Sequence, residues 1–255
     1  MKHFILLILT FFITTIAFAK CTSRGIYCLT KSPTLNKNGL IVLEFYALSQ
    51  LLISHLNEKY PIYLKSSNGK VQLNVIEILK GEMSLTQIVL KPASGLKPDQ
   101  IYSLEIDNLP KGELKPKRYY GSSNKREELT FKISNLVDIN LPVLTNTPTE
   151  QKKTLVYYGC GPATWVYFTV AGHDESELFV RANLKNKSTG KVTTFILTLE
   201  DGLTKIGHGM CSGPFHFDIG DNFEVTFQLF DQSGNKSDST NSISFTKPIV
   251  STIDE

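Results

Sequence analysis

Apolar side chains recur at every second residue over short stretches of this chain, and this spacing constrains the fold more than any other feature. The clearest stretch alternates apolar and polar residues in the order Phe223, Glu224, Val225, Thr226, Phe227, Gln228 and Leu229. Successive side chains of a β-strand point to opposite faces, so the pattern predicts a strand with one face on a core and the other in water. The turn residues Asp231-Gln232-Ser233-Gly234-Asn235 follow and predict a hairpin into a last strand.

Similar runs, separated by turn residues, fill most of the chain from Ile26 onward. In the first half we expect strands at 39–46, 60–65, 70–79, 84–91, 101–108 and 128–133. In the second half we expect them at 154–158, 164–171, 177–184, 191–199, 223–230 and 242–246. Many short strands of this kind predict an all-β chain, with enough strands in each half for a sandwich of two antiparallel sheets.

The segment 45–56 departs from the alternation. Its apolar residues Ala47, Leu48, Leu51, Leu52 and Leu56 have a helical spacing. The spacing predicts a short helical insertion between two strands of the first half. The run from Leu51 to Ile53 would equally suit a buried strand, so both alternatives stay open at this point.

Two short motifs resemble those of bacterial immunoglobulin-like and fibronectin-type domains of secreted or surface proteins. The first is Leu90-Lys91-Pro92, followed by Leu96-Lys97-Pro98 and by Tyr102 and Leu104. The second is the Asp-x-x-Gly-Asn turn at Asp231. The resemblance implies two immunoglobulin-like β-sandwich domains in tandem, and it implies that the Tyr102 hydroxyl returns to the upstream backbone as a tyrosine corner.

The N-terminus predicts export. Lys2 and His3 precede an apolar run at 4–18, and Ala17-Phe18-Ala19 forms a small-x-small cleavage site before Lys20. We therefore expect a signal peptide at 1–19, a first domain at 20–138, a linker at 139–149 and a second domain at 150–255. The expected location is secreted, periplasmic or at the cell surface, with no transmembrane segment in the mature chain. A lipoprotein anchored at Cys21 is the alternative.

The four cysteines, Cys21, Cys28, Cys160 and Cys211, all follow the predicted cleavage site. An even number of cysteines in an oxidising compartment predicts two disulfides, and three pairings are possible. The short sequence separations favour Cys21 with Cys28 and Cys160 with Cys211. A zinc site is the alternative, but the chain has no Cys-x-x-Cys pair to support it. We expect Trp165, just after Cys160, to be a core aromatic packed near a disulfide.

No familiar catalytic motif occurs. The chain lacks a Gly-x-Ser-x-Gly elbow, a phosphate-binding loop and a His-Glu-x-x-His helix. Gly159-Cys160-Gly161, with His208 or His216 as a base, would be a nucleophile candidate, but a disulfide cysteine in a turn fits an exported chain better. His173, Asp174, His208 and His216 have no spacing that forces them together around a metal. We therefore predict no catalytic, metal or cofactor site.

These observations favour a non-catalytic structural or binding protein of the cell envelope or extracellular space. Its loops or a sheet edge would meet a protein or glycan partner at the cell surface. The formal net charge of +3 gives no broad basic footprint for nucleic acid. The first alternative is a carbohydrate-binding module that uses exposed aromatics among Tyr119, Tyr120, Tyr157, Tyr158 and Trp165. The second is a secreted enzyme or inhibitor on a β scaffold.

Overall fold

The computed structural model describes residues 21, 24–118 and 128–249. This part of the chain is all-β, with several antiparallel sheets, so the all-β part of the predicted fold is confirmed. In the same residues, no helix has the length and apolar character needed to cross a membrane.

The first half forms one curled sheet, a half-barrel, with the strand order β2-β9-β7-β4-β5-β6-β3-β1-β8. The strands are β1 (Gly25–Cys28), β2 (Thr34–Leu35), β3 (Ile41–Tyr46), β4 (Ile62–Ser66), β5 (Gly69–Lys80), β6 (Leu85–Pro92), β7 (Ile101–Ile106), β8 (Lys117–Arg118) and β9 (Thr130–Ile133). The two short pairings β1–β8 and β2–β9 are parallel, and the other pairings in this sheet are antiparallel.

The helical alternative for segment 45–56 is present as a 3₁₀ helix at Ala47–His55, between β3 and β4. A 3₁₀ helix has three residues per turn, so side chains three positions apart lie on one face. Ser49 and Leu52 are the buried pair, whereas Leu48 and Leu51 face solvent. Spacing of three residues rather than four explains why only part of the leucine set reaches the core.

The second half contains two facing sheets and a small two-stranded one. Its strands are β10 (Val143–Leu144), β11 (Thr149–Tyr158), β12 (Gly161–Thr169), β13 (Gly172–His173), β14 (Leu178–Asn186), β15 (Val192–Thr198), β16 (Leu203–His208), β17 (Asn222–Asp231) and β18 (Ile243–Thr246). The sheets have the orders β11-β12-β16, β15-β14-β17-β18 and β10-β13. Phe168 joins the two larger sheets, because its ring centroid lies 5.2 Å from that of Phe227 and 5.4 Å from that of Phe245.

The central strands β3 and β6 divide their side chains between two cores. On β3, Ile41 and Leu43 belong to the core of the first half, whereas Val42 belongs to the core of the second. On β6, Ile88 and Val89 divide in the same way. A strand buried on both faces reads as a continuous apolar run, and 41–43 of β3 and 88–90 of β6 are such runs.

The two halves are therefore packed on each other through one face of the curled sheet. The core of the second half includes Leu29, Leu40, Val42, Leu79, Leu85 and Val89 of the first. Asp138, placed at the end of the first domain in our division, is buried. Two separate immunoglobulin-like sandwiches, divided by a linker at 139–149, stay a prediction, because the first half is a single curled sheet that shares a core with the second.

Candidate functional site

Strand β15, an edge strand of the four-stranded sheet, is closed by a side chain of the first half. The amide of Gln87 donates from Nε2 to the carbonyl oxygen of Ile196 at 2.6 Å and accepts from its N–H at 3.0 Å. Gln87 is fully buried. One side-chain amide thus supplies both the donor and the acceptor that a neighbouring strand would supply. We call β15 the covered edge.

Charged groups fix the first half beside the covered edge. The guanidinium of Arg181 makes two hydrogen bonds to the carboxylate of Glu77, at 2.6 and 2.9 Å. These hydrogen bonds hold the pKa of Glu77 below its ordinary value. Glu82 accepts from the hydroxyl of Thr193 and from the N–H of His216, both in the second half.

A pocket of about 180 Å³ opens between the halves next to this contact. Its wall includes Glu44, Tyr46 and Leu85 of the first half and Trp165 and Phe195 of the second. Burial raises the pKa of Glu44, while hydrogen bonds from the Tyr46 hydroxyl at 2.7 Å and from Gln87 Nε2 at 2.9 Å favour its charged form. A buried carboxyl group therefore borders an apolar, aromatic pocket.

Strand β11 is an edge strand of the three-stranded sheet. In the described part of the chain it pairs only with β12, over a length of ten residues. Val156, Tyr157 and Tyr158 near its end are 46%, 67% and 54% exposed. We call β11 the open edge.

The outer face beside the open edge carries an aromatic row. Thr154 pairs directly with Trp165, and directly opposite residues of two strands share a face. By the alternation of side chains, Tyr158, Trp165 and Tyr167 lie on this face, which we call the aromatic face. Lys205 Nζ lies 4.6 Å from the centre of the Trp165 ring, and Lys152 Nζ lies 4.7 Å from that of Tyr167. Trp165 is half-buried and belongs to neither core.

The predicted disulfide pairing is wrong. The disulfide joins Cys21 to Cys211, residues 190 positions apart, and Cys28 and Cys160 lie outside it. Cys28 instead fills the core of the first half on β1, where burial raises the pKa of its thiol to about 11. The sulfur atoms of Cys21, Cys160 and Cys211 all lie within 4.8 Å of one another, and we call this group the sulfur cluster.

Tyr102 lies buried on β7, and its hydroxyl accepts a hydrogen bond from the N–H of Lys97 at 3.3 Å. This bond ties the ring to the backbone five residues upstream.

Of the other aromatics named from the sequence, Tyr119 and Tyr120 lie outside the described residues. The adjoining Arg118 belongs to β8, and its guanidinium donates to the carbonyl oxygens of Thr30 and Thr130.

Three aspartates lie close together near the junction of the halves, although the sequence does not predict that they form a group. The carboxylate oxygens of Asp138, Asp174 and Asp231 lie within 4.8 Å of one another. Burial is the main cause that raises the pKa of Asp174 and of Asp231, and the neighbouring carboxylates add to it. Oxygen ligands of this kind suit Ca²⁺ or Mg²⁺, so these are the residues that could hold a hard cation. The only sequence signal was the Asp-x-x-Gly-Asn turn, which positions Asp231 alone.

The three histidines considered as metal ligands, His173, His208 and His216, lie in two places. The rings of His208 and His216 have centroids 4.7 Å apart, and His216 Nε2 lies 3.1 Å from a carboxylate oxygen of Asp218. His173 lies instead on β13, opposite Val143. Burial lowers the pKa of His208, which favours its neutral form. The four residues His173, Asp174, His208 and His216 are therefore not one cluster.

No protein-family model and no curated protein matches the chain. Solved structures similar to it include pullulanase type I from Bacillus subtilis str. 168 complexed with maltose, at 13% identity and a TM-score of 0.26 over 88% of this chain. The chain spans 24% of that pullulanase. The tandem Ig repeats of Dlar are similar at 10% identity and a TM-score of 0.25, over 86% of this chain and 97% of that one. A tetra-tandem repeat in the extending region of a large adhesion protein is similar at 13% identity and a TM-score of 0.26, over 87% of this chain and 48% of that one. Likenesses at these TM-scores do not transfer a function to this chain.

Proposed function

We propose that this protein is an exported, non-catalytic binding protein that takes up an extended segment of a partner polypeptide on its open edge. One observation carries the proposal: within the described residues β11 pairs on one side only, whereas β15 of the facing sheet is closed by Gln87. Export rests on the N-terminal leader alone. The partner is a protein because only another backbone offers donors and acceptors at the spacing of a strand.

The hydrogen-bonding alternation of β11 supports strand addition. In an antiparallel pair, residues alternate between pairs that exchange hydrogen bonds and pairs whose N–H and C=O point away from each other. Pro162 pairs with Tyr157 and has no N–H to donate, which fits a pair of the second kind. On that alternation the N–H groups of Leu155 and Tyr157 point to the open side. They are available to a strand laid alongside β11.

Charge limits where the partner lies. The first part of β11 carries Glu150, Lys152 and Lys153, and Lys153 Nζ also donates to Thr246 on β18. Edge lysines are a common device against unwanted strand pairing. The part from Leu155 to Tyr158 has no charged residue. The partner segment is therefore expected to pair with 154–158 and to be uncharged with apolar side chains at every second position.

A peptide selection tests the proposal. A random peptide library would be panned on the wild-type protein, on Val156→Lys and on Val192→Lys. Both valines are about half exposed on edge strands, but Val192 lies on the covered edge. Peptides with alternating apolar residues should bind the wild type and V192K, and V156K should weaken them by roughly tenfold or more, or about 1.4 kcal/mol. Hydrogen exchange should show added protection at Leu155 and Tyr157.

Other results would contradict it. Peptides that bind V156K as well as the wild type, or that protect amides away from β11, would place recognition elsewhere. A concentration-dependent dimer that V156K abolishes would identify the occupant as a second copy of this chain rather than a partner.

A carbohydrate-binding function is the second candidate, and the aromatic face favours it. Sugar rings stack on flat aromatic surfaces, and Tyr158, Trp165 and Tyr167 share one outward side of the sheet. A glycan that binds there should quench the fluorescence of Trp165, the only tryptophan in the chain. Tyr158→Ala should weaken that binding, and Tyr157→Ala, on the opposite face, should not. Glycan binding that ignores both substitutions would remove this candidate.

A further inference from the structure

The sulfur cluster brings three distant parts of the chain together. Cys160 lies in the tight turn between β11 and β12, Cys211 lies between β16 and β17, and Cys21 comes from the N-terminal end of the described chain. The turn and the loop touch, since a Cβ on Gly161 would stand 3.8 Å from the carbonyl oxygen of Met210. A thiol, Cys160, thus stands beside the disulfide of Cys21 and Cys211.

We propose that Cys160 exchanges with this disulfide, so that Cys211 has two alternative partners. The thiolate of Cys160 attacks Sγ of Cys211, the Cys160–Cys211 bond forms, and the Cys21–Cys211 bond breaks. Cys21 leaves as a thiolate and takes up a proton from solvent. One thiol and one disulfide are present before and after the step, so no oxidant or reductant is consumed.

The two pairings differ in what they hold. With Cys21 bonded to Cys211, the N-terminal segment is tied to the loop before β17, and the turn between β11 and β12 carries no cross-link. With Cys160 bonded to Cys211, that turn is pinned to the loop, and Cys21 becomes an exposed thiol. The exchange therefore decides whether the end of the open edge is tethered. It is independent of the proposed function, because the sulfur chemistry needs no binding partner.

Cys28 provides an internal control for the exchange. It is 1% exposed in the core of the first half, and its raised pKa keeps it as the unreactive thiol. Alkylation of the native protein should therefore spare Cys28. Labelling at Cys21 then reports the exchanged pairing, and labelling at Cys160 reports the starting one.

Disulfide mapping tests the proposal. Protein prepared without reductant would be held at pH 8.5, quenched in acid, alkylated with N-ethylmaleimide at low pH and mapped by mass spectrometry. The wild type and Cys28→Ser should yield both disulfide peptides, 21–211 and 160–211, with label on both Cys21 and Cys160. Cys160→Ser should yield only 21–211, and Cys21→Ser should yield 160–211 after oxidation. Far-UV circular dichroism should be the same for all variants.

Three results would overturn it. The first is a single pairing in the wild type after prolonged incubation at pH 8.5. The second is a Cys21→Ser protein that retains its circular dichroism but keeps both Cys160 and Cys211 as thiols. The third is an exchange rate that rises with protein concentration, which would mean that the sulfur atoms react between molecules rather than within one.

Discussion

The covered edge and the open edge lie in the same half of the molecule, but in the part that the structure describes only the covered edge has outer backbone groups bonded to a side chain of the first half. On β15 the amide of Gln87 satisfies both backbone groups of Ile196, and the curled sheet packs over them. On β11, within the described residues, the side away from β12 has no strand paired to it. An exposed edge invites unwanted pairing, and the proposed binding function gives the open edge of this protein a role. Substitutions on the two edges should therefore differ in their effects.

The largest effect is expected from removing the cover itself. Gln87→Leu would leave the buried N–H and C=O of Ile196 without partners, and each such group costs about 1 to 3 kcal/mol. We expect a loss of about 3 kcal/mol in the free energy of unfolding, measured by urea denaturation. Gln151→Leu on the open edge is the matched control and should change it by less than about 0.5 kcal/mol. Equal effects of the two substitutions would mean that β15 is not closed by Gln87.

A smaller effect is expected at the ion pair that holds the halves together. Arg181→Met would remove both hydrogen bonds from the partly buried Glu77 and cost about 2 kcal/mol at pH 7. The pKa of Glu77 is lowered in the folded protein, so the stabilisation is present above the ordinary carboxyl pKa and is lost as the pH falls below it. Unfolding curves from pH 7 to pH 3 should therefore converge for the variant and the wild type. Lys132→Met, at a more exposed ion pair, should leave the midpoint unchanged.

The sequence predicts the parts of this arrangement that depend on neighbouring residues, but not the contacts between residues far apart in the chain. The strand predicted at 223–230 lies within one residue of β17 at each end, because side-chain period is a local property of a strand. The apolar runs of β3 and β6 predict strands, but not that their second faces cover another sheet. Gln87 precedes the apolar run of β6, and nothing in the sequence predicts its hydrogen bond to Ile196, 109 positions away.

The disulfide pairing of the cysteines is a second contact that the sequence did not predict. A short sequence separation favoured Cys21 with Cys28, but the entropy of closing a loop grows only slowly with its length. A link across 190 residues is therefore not heavily penalised once the fold brings its ends together. The acidic residues Asp138, Asp174 and Asp231 likewise come from three separate segments, and only tertiary packing unites them.

A third prediction concerns the buried carboxyl group under the cover. The pKa of Glu44 is raised by burial, so its contribution is most favourable below the ordinary carboxyl pKa and declines as the pH rises toward the folded value. Glu44→Gln removes this decline and keeps a group that can bond to Gln87 and Tyr46. The stability of E44Q relative to the wild type should therefore increase from pH 4 to pH 8. A relative stability that falls over this range would show that the charged form is the favoured one.

The smallest effect is expected on the open edge. Val156→Lys adds a charge at a side chain that is about half exposed on an edge strand, so the free energy of unfolding should change by less than about 0.5 kcal/mol. Val192→Lys, at a similarly exposed position of β15, should be equally mild, because its side chain also points to solvent. The pair separates binding from stability: V156K is expected to lose peptide binding while unfolding at the same urea concentration as V192K. A loss of more than about 1 kcal/mol in V156K alone would mean that β11 is already covered in solution, and the contrast between the two edges would fail.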